Sequence, residues 1–355
     1  VSVLLSYSAA LLVTLLSATV LMPVAHKVGL VDKPGGRKKH KYHTPLVGGV
    51  SIFIGFSFAL CTLPSSLALY RPLLAVAGLL MLIGVADDFL DLKARFRFFI
   101  QLCLIVLLVL WSGVSVDVVG FSSYFGHVRL GWFALPFTVV VFVGYINAMN
   151  MLDGQDGLAG SVAMVQFLML LGLAAFVGES NLSVVIALLC CAVLGFLFLN
   201  FPFPGRHHAA VFLGDAGSML LALLAGYFAI QLSQTLQFRL HFPPALMAWV
   251  LAYPVFDLIS VVVSRLLKGK RPMEAGRDHF HHILKDLGVS TLLSTLVLAV
   301  ITLLFGLTGI WLAFLHMDVV IYLLGFCVLG LIYLVIFFAL ERHLARLQSQ
   351  HSPEM

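Results

Sequence analysis

Long apolar runs alternate with short polar breaks along the whole chain, and this alternation predicts the fold before any motif is considered. Runs of about 17–25 apolar residues are long enough for a helix to cross a bilayer. They recur near 2–25, 46–63, 72–88, 97–114, 132–148, 158–177, 182–200, 211–232, 244–265, 290–315 and 319–340. The expectation is an all-α polytopic membrane protein with about 11 transmembrane helices. The count is ten if the short, Gly-rich 46–63 run or the 72–88 run, which ends in acids, does not cross. Residues 1–355 then form one integral membrane domain, with polar loops near 26–45, 87–97, 147–157, 200–211 and 266–289. The first run lacks a basic leader and carries its polar flank afterwards, so it is expected to be a helix and not a signal peptide.

Composition agrees: 61% of the residues are hydrophobic and 10% charged, against about 25% charged in soluble domains. The five cysteines all fall inside apolar runs without CxxC spacing, which says nothing about disulfides or metal and predicts buried packing. Basic residues set the orientation. With the amino end outside, every Lys and Arg except Arg71, Arg129 and Arg239 falls on the cytoplasmic side. The acids follow the same parity, which the positive-inside rule does not demand. Asp32, Asp87, Asp88, Asp91, Asp153, Asp156, Asp215, Glu274, Asp278 and Asp286 all lie on or near that face. Carboxylates from several loops, gathered beside basic residues at one interface, point to a metal and a phosphorylated ligand.

Each constellation has a plainer reading beside the functional one. In "VADDFLDLKARFRFF" (85–99) Asp87 and Asp88 point about 100° apart on a helix and must serve different partners. They either anchor a helix end or face a metal or an acidic proton, and Lys93, Arg95 and Arg97 suit phosphate or anionic lipid. "NAMNMLDGQDGLAG" (147–160) spaces Asp153 and Asp156 around Gly154 and Gly157, as a tight turn or a ligand loop; the spacing excludes an EF-hand. Asp215 in "FLGDAGSM" (212–219) is an N-cap or a metal ligand. "GRDHFHHIL" (276–284) brings Arg277, His279, His281 and His282 together, a donor set suited to developing negative charge. Asp257, within an apolar run, is a functional candidate or a hydrogen-bond partner of a neighbouring helix.

The ordered set VDKP, PLVGG, DD, NAMNMLDGQDGLAG, FLGDAGS and RDHFHH, spanning about residues 26–285, resembles the polyprenyl-phosphate N-acetylhexosamine-1-phosphate transferases. Within that family it looks closest to the bacterial undecaprenyl-phosphate GlcNAc-1-phosphate transferases, with the phospho-MurNAc-pentapeptide transferases as more distant siblings. The resemblance implies a Mg2+-dependent enzyme of the bacterial inner membrane, with Mn2+ as an alternative ion. It would join a UDP-N-acetylhexosamine to undecaprenyl phosphate, releasing UMP, at the start of O-antigen or related surface glycan synthesis. It implies Asp215, with Asn150 beside it, as the metal ligand and Asp88 near the metal. Asp87 would deprotonate the lipid phosphate. Asn147, Asp153 and Asp156 would surround the nucleotide, and Phe212 would stack on uracil. Arg277, His279, His281 and His282 would close over the diphosphate or sugar, and Asp32 and Lys33 would lie near the lipid-phosphate entrance.

Direct in-line attack is favoured over an aspartyl-phosphate intermediate, because a phosphomonoester is already nucleophilic near neutral pH. Gln155 and Phe280 depart from the family pattern and are expected to bear on the sugar pocket, which leaves GlcNAc as the default and GalNAc, QuiNAc or FucNAc open. The expected partners are the two substrates and membrane lipids, with no nucleic acid; a homodimer is compatible with the sequence. The competing classes are a secondary transporter, against which stand the absent repeat and the one-sided acids, and a lipid phosphatase releasing free phosphate.

Overall fold

In the computed structural model the described residues are 3–32, 43–64, 66–203, 205, 208–240, 242–271, 276 and 278–350, with Phe238 and Gln350 described by backbone alone. Every predicted span meets a helix. Among the described residues, nine helices suffice by length and composition to cross a membrane. They are α1 (Val3–Val28), α3 (Arg71–Leu90), α4 (Ala94–Ser112), α5 (Ala134–Leu152), α6 (Leu158–Phe176), α7 (Ser180–Asn200), α8 (Gly214–Leu240), α12 (Thr291–Phe314) and α13 (Val319–Gln350).

The other two predicted spans differ from the expectation. Helix α2 (Gly48–Cys61) has 14 residues, which reach about 21 Å, short of a bilayer core of about 30 Å. The 244–265 run divides at Leu251 into α9 (Leu246–Val250) and α10 (Ala252–Leu267). Pro254 explains the break: it has no N–H to give Val250 and its ring crowds that carbonyl. A short helix, α11 (Phe280–Asp286), precedes α12.

Helix α8 is the hub. Of its most apolar window 94% is buried, as expected of a helix that is apolar on every side. It packs against α2, α3, α5 and α6. Backbones touch where α2 meets it, since a Cβ on Gly49 would lie 2.3 Å from Gly217; small residues permit such close approach. Helix α1 buries a stripe of Ser6, Ala10, Thr14, Ala18 and Ala25 against α2 and α7. On α4, α12 and α13 the outward Leu, Ile, Val, Trp and Phe side chains stay exposed, the surface that suits lipid. Three cysteines expected inside, Cys61, Cys103 and Cys327, lie on exposed faces, while Cys190 is buried.

Alternate loops gather at opposite ends, as the parity of the polar breaks predicts. One end carries a hairpin the sequence did not announce, β3 (Val118–Ser122) with β4 (Gly126–Arg129). Asp318, at the start of α13, clasps it by accepting from the N–H of Ser123 at 2.5 Å and from its hydroxyl at 2.8 Å. At the other end a two-residue ladder, β1 (Val31–Asp32) with β2 (Thr44–Pro45), leads the chain along the start of α8. Phe212 N–H donates to Pro45 O at 2.9 Å, and Gly48 and Gly49 N–H donate to Phe212 and Leu213 O at 3.0 Å each. This lacing fixes the first turn of α8, where Asp215 sits.

Candidate active site

The acid-rich end is built from the tips of α3, α4, α5 and α8, with the loops after α5, α7 and α10 around them. Asp87 and Asp88 diverge as their helical spacing requires. Asp87 is buried and accepts from Leu92 N–H at 2.9 Å and from the Arg97 guanidinium of α4. The same Nη1 of Arg97 reaches Asp215 Oδ2 at 3.2 Å, so one guanidinium bridges two carboxylates from α3 and α8. Asp88 turns the other way and accepts from the N–H of Asp215 at 3.0 Å and of Ala216 at 3.5 Å. These are first-turn donors that no helical carbonyl can satisfy. Asp88, expected beside a metal, therefore caps α8 from another helix. Gly214 fits both demands of this corner: its φ is +73°, and a Cβ there would lie 2.7 Å from Asp88 Oδ2.

Asp215 stands in the first turn of α8, where the helix dipole favours negative charge. Asn150 of α5 gives its amide to Asp215 Oδ1 at 2.6 Å and to Ser218 Oγ at 2.9 Å. One turn back on α5, Asn147 is half-buried. It donates to Gln101 Oε1 and to Val143 O, both at 2.8 Å, and Gln101 is fully buried. Asn147, expected around the nucleotide, thus belongs to a polar layer beneath Asn150.

The 153–157 turn distributes its side chains among three neighbours. Gln155 donates to Thr291 O at 3.1 Å and Thr295 Oγ1 at 2.9 Å on α12, so it ties the turn to a helix. Asp156 accepts from Ala209 N–H at 3.0 Å through Oδ2, pinning the loop after α7; a ligand does not have that oxygen to itself. Asn200 accepts from Gly157 N–H and donates to Val211 O, both at 2.8 Å. Asp153 is the turn's acid that faces the other carboxylates. Burial, together with the charges of Asp215, Asp88, Asp156 and Asp32, holds its carboxyl well above the ordinary range. Asp32 is thus within electrostatic reach of Asp153. Phe212 is half-buried beside Asp215, with its backbone laced as described.

The histidine loop closes this end from the side of α10 and α11. A Cβ on Gly154 would lie 2.6 Å from His281 Nε2 and 3.5 Å from His282 Nε2, so only glycine admits the imidazoles against the turn. The His281 and His282 rings are 4.1 Å apart. His279 lies deeper, 4% exposed, with its ring 5.8 Å from that of His281 and inclined by 17°. Phe280, expected at the sugar pocket, is instead buried against Tyr333 and Phe337 of α13 and anchors the loop. Beside it Asp278 accepts from Arg265 Nε at 2.9 Å. Burial pushes its carboxyl up, but Arg265, with Lys270 and Lys268, outweighs this and holds it below the usual range. Lys33 and Arg277, both expected at the site, lie outside the described residues.

Arg97 is the group whose place the sequence left open. Its signal was faint: Arg97 and Gln101 stand four apart on one face of an otherwise apolar helix. The assembled site is a crowded negative pole with one guanidinium at its centre and imidazoles across a glycine turn. It can hold a cation together with phosphate oxygens. No three His, Cys, Asp or Glu side chains among the described residues converge into a self-sufficient metal cage.

Residues 70–233, which include both the DD pair and Asp215, match glycosyl transferase family 4. The undecaprenyl-phosphate alpha-N-acetylglucosaminyl 1-phosphate transferase of Yersinia pestis is 32% identical over 287 residues, covering 81% of this chain and 78% of its own. The enzyme of that name from Escherichia coli K12 is 30% identical over 313 residues, covering 86% and 84%. A probable undecaprenyl-phosphate N-acetylglucosaminyl 1-phosphate transferase of Bacillus subtilis is 31% identical over 316 residues, covering 85% and 83%. With this likeness across most of its length, and the motif residues gathered at one end of the bundle, the chain belongs to the polyprenyl-phosphate N-acetylhexosamine-1-phosphate transferase family.

Proposed function

We propose that the protein transfers N-acetylglucosamine 1-phosphate from UDP-GlcNAc to undecaprenyl phosphate, giving undecaprenyl-diphosphate-GlcNAc and UMP. This would open O-antigen or related surface glycan synthesis. The observation that carries the reading is the set Asp87–Arg97–Asp215–Asn150, one cation shared by two acids from different helices at one end of the bundle. An oxygen of the lipid phosphate attacks the sugar-bearing phosphorus, the bond to the UMP phosphate breaks, and UMP leaves with that electron pair. A phosphomonoester has its second pKa near 6, so the acceptor is largely dianionic at neutral pH and requires no strong base. Asp87, whose oxygens already serve Leu92 N–H and Arg97, therefore acts by aiming Arg97 at phosphate and not by removing a proton. His281 and His282 donate to the transferring group from beyond Gly154, and Asp153 bounds the nucleotide side.

The donor set suits Mg2+, which prefers hard oxygens and is commonly held by one or two protein ligands completed by water and substrate phosphates. Asp215 and Asn150 would hold it, Asp88 would set the turn that presents Asp215, and the surplus of carboxylates facing Asp153 fits an added cation. Bound there, the ion would neutralise charge on the diphosphate as it develops. The basic residues at the acid-rich end favour a cytoplasmic site and an outward amino terminus in the bacterial inner membrane.

The test is UMP release by purified protein with undecaprenyl phosphate, Mg2+ and a panel of UDP-N-acetylhexosamines, wild type beside Asp215→Asn. UMP that requires both lipid and metal, is greatest with UDP-GlcNAc, and falls about a thousandfold in the variant supports the reading. UMP greatest with another sugar corrects the donor. No UMP with any sugar, from protein that still binds UDP-GlcNAc, sinks the transferase.

A further inference from the structure

Asp257 lies in the middle of α10, 2% exposed, and none of its hydrogen bonds among the described residues reaches the carboxylate cluster described above. They run to the histidine loop and to α13. Oδ2 is 2.7 Å from His279 Nδ1. Oδ1 accepts from Phe280 N–H at 3.0 Å and from the Tyr333 hydroxyl at 3.3 Å. Eight residues later on the same helix, Arg265, also 2% exposed, holds Asp278. Three consecutive loop residues, 278–280, are thus gripped by two side chains of one helix. From there the contacts continue outward: His279 lies over His281, His281 against His282, and His281 against Gly154 of the nucleotide-side turn.

We propose that Asp257 is a positioning residue for the transfer reaction, acting through His279. A carboxylate oxygen can only accept from a ring nitrogen, so Asp257 keeps the His279 proton on Nδ1 and leaves Nε2 as the nitrogen available on the other side of the ring. By fixing that ring and the backbone of Phe280 together, it sets the plane on which His281 and His282 approach Gly154. A buried acid serving only the packing of α10 would have no need of an imidazole partner in that loop. The proposal rests on the transferase reading, since the histidines matter only if a phosphate is transferred beside them.

Asp257→Asn is close to isosteric. Its oxygen can still accept from Phe280 N–H, but its amide presents N–H to His279 Nδ1 and forces the ring to shift its proton or turn. The full-length protein in detergent is expected to lose about thirtyfold in kcat, within the range of outer-shell substitutions, with KM for UDP-GlcNAc changed less than about threefold. In a His279→Ala background the same substitution should cost less than about threefold, because a residue acting through His279 has nothing left to act on. Equal losses in both backgrounds, or an unchanged kcat, would overturn the assignment.

Carbethoxylation of His279 by diethylpyrocarbonate, mapped by peptide mass spectrometry, gives a readout independent of turnover. His279 should be protected in wild type and labelled faster in Asp257→Asn. Protection in both would sink the anchor even if activity fell. Wild type without UMP release would instead defeat the transferase reading and leave the anchor to stand or fall by the labelling.

Discussion

Both ends of the bundle carry acids, and they treat them differently. At the hairpin end Glu179 and Asp318 each have their own partners: Glu179 pairs with Arg239 at 2.5 Å. Asp318 accepts from two backbone amides and a hydroxyl of Ser123 and Val320, donors that hold its carboxyl below the ordinary range. At the other end Asp87 and Asp215 share one guanidinium, and Asp153, made costlier to ionise by its own burial, also meets the charges of four further carboxylates. Stability alone accounts for the first arrangement. The second keeps repulsion in place, which a fold has no reason to retain unless something positive completes it.

The comparison breaks first at Asp87. If the acid-rich end is functional, Asp87→Asn removes the charge that aims Arg97 and should lower UMP release by about a hundredfold or more, with little change in helix content by circular dichroism. Full activity would reduce Asp87 to a helix-end anchor. Arg97→Lys keeps the charge but cannot span two carboxylates in one plane; a loss of about tenfold to a hundredfold is expected, expressed in KM for the lipid phosphate as well as in kcat. A KM that stays fixed would place Arg97 away from that substrate.

Gly154→Ala sharpens the geometry. Its methyl would meet His281 Nε2 at 2.6 Å, so the imidazole must retreat, and about tenfold of the rate should go with it while the protein still purifies as a folded species. Asp153→Asn tests the stored repulsion directly. A carboxyl raised in the folded state binds a proton that the unfolded chain releases. Its penalty is absent below about pH 4, where both states are protonated. The penalty grows as pH climbs to the folded pKa and is constant above it. The Asn variant should therefore unfold at a higher temperature than wild type in metal-free buffer, by more at pH 8 than at pH 5, while losing about tenfold in rate. A variant less stable than wild type at pH 8 would show that Asp153 is paired and not crowded.

What the sequence made legible follows from how many interpretations each signal permits. An apolar run of twenty residues has one, so the spans were placed nearly throughout. A fourteen-residue α2 and a proline-broken α9–α10 fall where length no longer decides. The divergence of Asp87 and Asp88 was legible because 100° per residue is fixed by the helix. Arg97 meeting Asp215 was not, since that contact joins residues 118 apart and depends on how α4 leans on α8. The contacts of Gln155 and Phe280 were not legible for a related reason: adjacency to a motif does not say which way a side chain turns, and both turn toward neighbouring helices. Asp257 stood open between two readings until the fold brought His279 to it.

The smallest effect is expected at the control end. Glu179 and Arg239 form an ion pair whose side chains are 29% and 48% exposed, and Arg239 also donates to Val177 O at 2.8 Å. A partly exposed pair of this kind contributes about 0.2–1 kcal/mol after screening. Glu179→Gln leaves the Val177 bond intact and removes only the charge, so the shift in thermal midpoint should be small and should shrink further in high salt. UMP release should be unchanged, because this pair lies a helix length from Asp215. The comparison between the two ends requires that silence: a substantial loss of rate here, without loss of folded protein, would mean that acids at the hairpin end also serve the reaction, and the crowding around Asp153 would no longer single out the functional end.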